Sequence, residues 1–302
     1  MRYWERENEC ERLFRQGGPF YMVTTENLPW LLFTSEQEFI DGTNMTAVSL
    51  AGLPLRLLGE VEMNNHLHFL LEGAYEKVLV FTEHLRKAMS RYQLKRGNPS
   101  LARWDIQIKA IGDLKALRNA ILYIFRNPYV AGRDVTPSGY RWSSAQLMFN
   151  ENLSYYSAGV SYNELTYREK RKITQSRGDV LSVDWRVLDG AILRASFVDY
   201  RRAEAFFESA RQYFHMLARK VEADAETARW IGECIQLPNE DVFRIVADWY
   251  KVRTVNLLLP EQRLEAARRM KAELMSSNKQ VAQVLRLPID QVNQFFPVPN
   301  SS

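Results

Sequence analysis

The sequence predicts an α+β fold: an antiparallel sheet with helices on one side, followed by an all-helical C-terminal region. Three observations carry that expectation. Short runs rich in aromatic and β-branched residues, Phe20–Thr25 and Ile106–Ile111, bracket the N-terminal part. Two further runs, Leu55–Glu62 and His66–Glu72, flank Asn64-Asn65, a turn signal that favours an antiparallel hairpin. Between these runs lie segments with apolar residues at helical spacing, and from about residue 184 that spacing takes over.

Taken in order, residues 1–17 are polar with a helical pattern, and Gly17-Gly18-Pro19 punctuates them. The strand 20–25 follows, then a helix over 35–51 and the hairpin of 55–62 with 66–72. Across 74–95, Val78, Phe81, Leu85, Ala88 and Met89 form a helical stripe. Ile106–Ile111 alternates as a half-buried strand does, and Asp113 stands where an N-cap would open a helix that Pro128 stops. The order β-α-β-β-α-β-α describes an α+β layer. Past Gly139-Tyr140-Arg141-Trp142-Ser143-Ser144 the texture turns polar, with Tyr155-Tyr156 and the charged run Arg168–Lys172. The expected organisation is therefore an α+β domain over 1–148, a connector over 149–183 and a helical region over 184–302. That last region includes helices at 200–218 and 261–275, with Trp185, Phe206, Phe207, Trp230 and Trp249 as core.

Composition bounds the class. With 302 residues, 46% of them hydrophobic and 25% charged, the chain is long enough for a sizeable core plus a smaller unit. The net charge of +4 and a pI near 9.0 suit a nucleic-acid partner without singling one out. Cys10 and Cys234 lack CxxC spacing, which argues against a disulfide framework or a cysteine zinc site and fits a reducing, cytoplasmic setting. The first residues are too charged for a signal peptide, and no apolar run approaches roughly 20 residues, so no membrane span is expected.

Two short constellations carry chemistry. In a strand, residues two apart share a face, so His66 and His68 project together while Leu67 points away. Such a pair is either the start of a divalent-metal site or two packed histidines at a sheet edge. On a helix, Tyr123 and Asn127 are four apart and share a face, separated by roughly 6 Å along the axis. Asn127 offers a carbonyl oxygen as a third metal ligand beside the Tyr123 hydroxyl. Equally, Tyr123 completes an apolar stripe with Leu117 and Ile121, and Asn127-Pro128 ends the helix.

Charge adds a binding surface. From Arg86 to Arg118 there are nine basic residues (Arg86, Lys87, Arg91, Lys95, Arg96, Arg103, Lys109, Lys115, Arg118) against Asp105 and Asp113. Beside Tyr92 and Trp104 they suit single-stranded or hairpin DNA, phosphates neutralised and bases stacked; a solvated helix face is the plain alternative. At the other end, 278–296 has the pattern of a helix-turn-helix: small Ala282, wedge residues Leu287 and Val292, and a turn at Leu287-Pro288-Ile289. There Gln291, Asn293 and Gln294 would face the major groove of duplex DNA, with Arg286 standing where glycine is usual. A helical hairpin used only for packing reads the same residues. From 251 to 286, eight Lys and Arg face three Glu.

The two constellations in order closely resemble the HUH single-tyrosine transposases, above all their REP-associated branch. The likeness rests on Asn65-His66-Leu67-His68 in a strand, then Tyr123-Ile124 and Asn127-Pro128 on a helix, then Ala131-Gly132. It extends to Gly18–Thr24 and to Pro137–Ser144, and spans roughly residues 18–148. The resemblance implies a ferredoxin-like nuclease domain. It implies His66 and His68 as a metal pair completed by Asn127, Tyr123 as nucleophile, and Mg²⁺ or Mn²⁺ as the ion. It also implies cleavage and rejoining of single-stranded hairpin DNA through a 5′-phosphotyrosine, and a homodimer. The chain departs from the pattern at Asn64, where most relatives carry proline, and at Met22 and Thr25-Glu26-Asn27, where many carry histidine and arginine. Alternatives are a non-catalytic DNA-binding regulator derived from a transposase, and an HUH relaxase or replication initiator.

Overall fold

The computed structural model describes residues 3–28, 31–130, 136–153, 158–175, 181, 185–218, 239–274, 276 and 278–296. The expectations for Ala131-Gly132, Tyr155-Tyr156 and Trp230 lie outside the described residues. After helix α1 (Tyr3–Gln16), the chain runs β1 (Phe20–Thr25), α2 (Glu36–Leu50), β2 (Arg56–Glu62), β3 (Leu67–Glu72), α3 (Tyr75–Lys95), β4 (Ile106–Ile111) and α4 (Leu114–Val130). The strands form one sheet in the order β2-β3-β1-β4, antiparallel at every step, which is the ferredoxin-like arrangement.

Strand alternation divides the sheet into two faces. Leu67, Phe69 and Leu71 of β3 join Val78, Phe81, Leu85 and Met89 of α3 in one apolar cluster, with Phe69 edge-on to Phe81 at 5.4 Å. The two crossover helices lie together on that side. The opposite face carries His68, and α4 crosses it. Gly59 makes this crossing possible: it follows an irregularity in β2, and a Cβ there would lie 3.1 Å from the Phe125 ring of α4. The helix continues two residues beyond Pro128, to Val130, so the expected stop at that proline does not occur. A proline this near a helix end costs one amide hydrogen bond and leaves little helix for its ring to disturb.

The open edge of β2 is covered by the chain around 140–144. Glu62 N donates to Trp142 O at 2.8 Å, Glu60 N donates to Ser144 Oγ at 2.8 Å, and Tyr140 OH donates to Glu62 O at 2.9 Å. Blocking an edge in this way stops another chain from pairing there.

The chain separates into two compact units, one of residues 1–127 with 135–218, the other of 128–134 with 219–302. This corrects the expected boundaries. Residues 149–183 are not a free connector, and 184–218 belong with the first unit, because their apolar side chains enter its core. Tyr162, Ile173, Val187, Ile192 and Phe197 share the cluster of β3 and α3. Nor is that stretch wholly helical: β5 (Val160–Ser161), β6 (Arg186–Leu188) and β7 (Ala191–Ile192) make a small second sheet, with helix α5 (Tyr167–Thr174) between its first two strands. Two helices, α6 (Tyr200–Glu204) and α7 (Ala210–Ala218), complete the first unit. The second unit holds α8 (Asn239–Trp249), α9 (Pro260–Glu273), α10 (Asn278–Leu285) and α11 (Ile289–Phe295) around Val246, Ala266, Met270, Val281 and Val292. Among the described residues no helix is long and apolar enough to cross a membrane.

Candidate active site

The β2–β3 turn is pinned from outside the hairpin. Asn64 O accepts from Leu32 N and Phe33 N, while Leu28 N donates to Asn65 O. His66 therefore stands just before β3 at a defined height, and Met63 N donates to its carbonyl at 2.9 Å. The two imidazoles lie edge to face, centroids 4.9 Å apart.

Helix α4 brings the other half. Asn127 spans the histidines: its Oδ1 is 3.2 Å from His66 Nε2 and its Nδ2 is 3.0 Å from His68 Nε2. One turn earlier, the Tyr123 ring meets the His68 ring edge to face at 5.5 Å. The four residues that the sequence singles out thus gather on one sheet face. Burial pushes the His68 pKa down to about 3, because a charged imidazole would lose its water there. His68 is accordingly a neutral lone-pair donor. His68 Nδ1 meets Thr24 Oγ1 at 3.3 Å, and His66 Nδ1 meets Asn65 Oδ1 at 2.8 Å. Neither Asn65 nor Thr24 is foreseen as a site residue, although Asn65, a side-chain carbonyl adjoining a histidine, was open to view.

Two imidazole nitrogens and an amide oxygen form a donor set that fits a divalent cation with places left for water or phosphate. Among the described residues no three His, Cys, Asp or Glu side chains gather, so a metal here would rest on this mixed set. The site is closed: Tyr123 is 1% exposed and Asn127 5%.

The expected DNA-contacting residues divide. Lys109 pairs with Met22 across β1 and β4, and so shares the face of His68. Arg86, Lys87, Arg91 and Lys95 sit on α3, across the sheet from the histidines; Arg96 is its C-cap, and Arg103 is exposed in the stretch after it. Some are engaged: Arg86 pairs with Glu83, Lys87 reaches Glu83 at 3.1 Å, and Arg96 pairs with Glu38. Tyr92 and Trp104 do not offer stacking faces. Both belong to the apolar core, where Tyr92 OH donates to Asp41 at 3.0 Å and Trp104 Nε1 to Glu26 O at 3.2 Å. Tyr92 continues the stripe of Leu85 and Met89, so helical phase turns it inward.

In the second unit, α10 and α11 join through Arg286, whose φ of +53° is the left-handed conformation that usually takes glycine. Val292 is buried between the helices, Gln291 and Gln294 are exposed, and the Asn293 carbonyl accepts from Asn278 Nδ2 at 2.9 Å.

Fold and site together describe a ferredoxin-like domain in which His66, just before β3, and His68, on it, face a Tyr-x-x-x-Asn helix. No family model and no curated protein matches the sequence. Among solved structures, one of a REP-associated tyrosine transposase bound to a REP hairpin is similar at 17% identity and a TM-score of 0.32. The similarity covers 57% of this chain and 94% of that one.

Proposed function

We propose that this protein cuts and rejoins single-stranded or hairpin DNA through a transient covalent link to Tyr123. The observation that carries the reading is the meeting of two imidazoles, one amide and one phenol on a single sheet face. His66, His68 and Asn127 would hold Mg²⁺ or Mn²⁺, which supplies charge to polarise and orient a scissile phosphate. The Tyr123 oxygen forms a bond to phosphorus as the bond from phosphorus to the 3′ oxygen breaks. The phenol's proton is balanced by protonation of the departing 3′ oxygen, and the strand downstream of the break stays on the enzyme through its 5′ phosphate. Because one phosphoester replaces another, a 3′ hydroxyl can later reverse the step without ATP. Tyr123 is buried at 1% exposure, so the packing over its ring must open before a phosphate can arrive. Lys109, on the same face, would meet the backbone of the bound strand, and α10–α11 would add contacts to duplex DNA.

The test incubates the whole chain with end-labelled hairpin oligonucleotides and Mn²⁺ and looks for an adduct that survives denaturation. A 3′-end label, on the strand downstream of the break, should stay with the protein while a 5′-end label leaves with the new 3′ hydroxyl, and Tyr123→Phe should bind the hairpin but form no adduct. An adduct formed by Tyr123→Phe would remove this tyrosine from the chemistry. The closed Tyr123 favours one second reading, a DNA-binding protein that no longer cuts. Salt-sensitive hairpin binding with no adduct under any metal would support it.

A further inference from the structure

Beyond the β2 edge, α2, the segment 140–146 and the β6–β7 hairpin enclose a cleft of about 270 Å³, near the lower end of small-ligand sites. Ile40 and Ile192 give it an apolar wall. Arg194 also lines it, but its charge is already met by Glu60 and Glu62. Two further charges border the cleft, Arg141 and Asp189, and no ion pair joins them. We propose that this cleft takes one guanine nucleotide, with its phosphate on Arg141 and its base edge on Asp189.

Arg141 pairs with Glu36, but both side chains are more than half exposed, and such a pair contributes little. A phosphate can displace the carboxylate and take two parallel hydrogen bonds from the guanidinium. That guanidinium also lies 5.0 Å from the Trp142 ring centre, and the indole is stacked on Phe39 at 4.8 Å. The cation therefore stays at the cleft when Glu36 lets go. Asp189 is fixed from behind. It stands at the tip of the β6–β7 turn with φ of +50°, and Asn44 clamps that tip to α2. The Asn44 Nδ2 donates to Gly190 O and its Oδ1 accepts from Ile192 N, both at 2.8 Å. The Asp189 carboxylate has no partner among the described residues, and a carboxylate can only accept. Guanine sets two N–H donors side by side on its pairing edge, N1–H and N2–H₂. Adenine, cytosine and thymine each put an acceptor beside the donor, which would face the negative charge. Gln146, half-buried in the same cleft, offers an amide to the rest of the base. The nucleotide is either a free one or an unstacked member of the DNA strand, and only the second source rests on the DNA-cleaving reading.

Calorimetric titration of the whole chain tests this with mononucleotides and with a single purine placed in an oligothymidylate. Guanine should bind about tenfold tighter than hypoxanthine, which lacks the N2 amine. Asp189→Asn, a residue that also tolerates positive φ, should erase that preference. Arg141→Gln should weaken binding about tenfold yet keep the preference. Guanine binding seen only in the oligonucleotide assigns the cleft to the strand; binding of dGMP alone assigns it to a free nucleotide. A preference that survives Asp189→Asn, no preference in either format, or capture of free glycine in place of dGMP would overturn the proposal. None of these titrations needs Mn²⁺ or Tyr123, so a protein that forms no adduct still decides them.

Discussion

His66, His68 and Asn127 depend on one another because each imidazole meets a different atom of the same amide. Asn127→Ala should therefore weaken Mn²⁺ uptake for both histidines while leaving the fold intact, as binding titrations and circular dichroism would report. A second residue-scale prediction concerns the far face of β2. Glu60 and Glu62 are fully buried with Arg194, which pairs with Glu60 and lies 3.5 Å from Glu62. Burial pushes the Glu62 carboxyl up to about 8, only partly offset by Arg194 and reinforced by the Glu60 charge. A folded-state value above the unfolded one means that the folded form keeps a proton the unfolded form releases, so stability falls as pH rises toward 8. His68, whose folded value lies below its unfolded one, acts only below about pH 6.5, and there with the opposite sign. Denaturation midpoints should thus drop between pH 6.5 and 8, and Glu62→Gln should flatten that slope. Tyr123 and Asn127 were legible because the helix period assigns faces without tertiary knowledge, whereas His66, expected on the strand with His68, stands before β3 and is set by the pinned turn. Asn65 and Thr24 escaped because their role lies in hydrogen bonds to a neighbour's far nitrogen, which no spacing encodes.

At the scale of elements, the site depends on how closely α4 approaches the sheet. Gly59 sets that distance, and Gly59→Ala would place a methyl 3.1 and 3.3 Å from two Phe125 ring carbons. The ring must shift, at a cost of about 1–3 kcal/mol, and α4 carries Asn127 with it. Urea denaturation should show the lost stability, and Mn²⁺ binding should weaken more than in a control on α3 such as Lys87→Ala. The main sheet and its helices were readable from period alone. The small sheet was not, since its strands are two or three residues long, although one signal was present. Asp189-Gly190, with φ of +50° and +81°, is the two-residue turn that joins β6 to β7, and Asp-Gly is a strong hairpin sign. Helical-looking neighbours masked it.

For the whole molecule, the decisive boundary falls after residue 218. Asp199 N donates to Leu57 O at 2.7 Å, Arg202 binds Glu72 through two hydrogen bonds, and Phe206 meets Phe20 edge to face at 5.5 Å. A chain truncated after 218 should melt as one cooperative transition. One truncated after 183 should be insoluble or melt without a sharp midpoint, and calorimetry would distinguish the two. Composition hid this boundary: the polar texture from 150 to 178 looks like a linker, while the few apolar residues that bind it to the core are far apart in sequence.

The guanidinium that neutralises β2 belongs to a residue made late. While a ribosome is still short of residue 194, the emerging β2 holds two acids destined for a dry layer and no cation to meet them. Closing the sheet at that stage would bury both carboxyl groups without the guanidinium that offsets their desolvation, so the sheet is expected to close only once residue 194 has emerged. A half-synthesised chain would then carry its histidines and tyrosine without yet assembling them, and the site would form only with the finished unit.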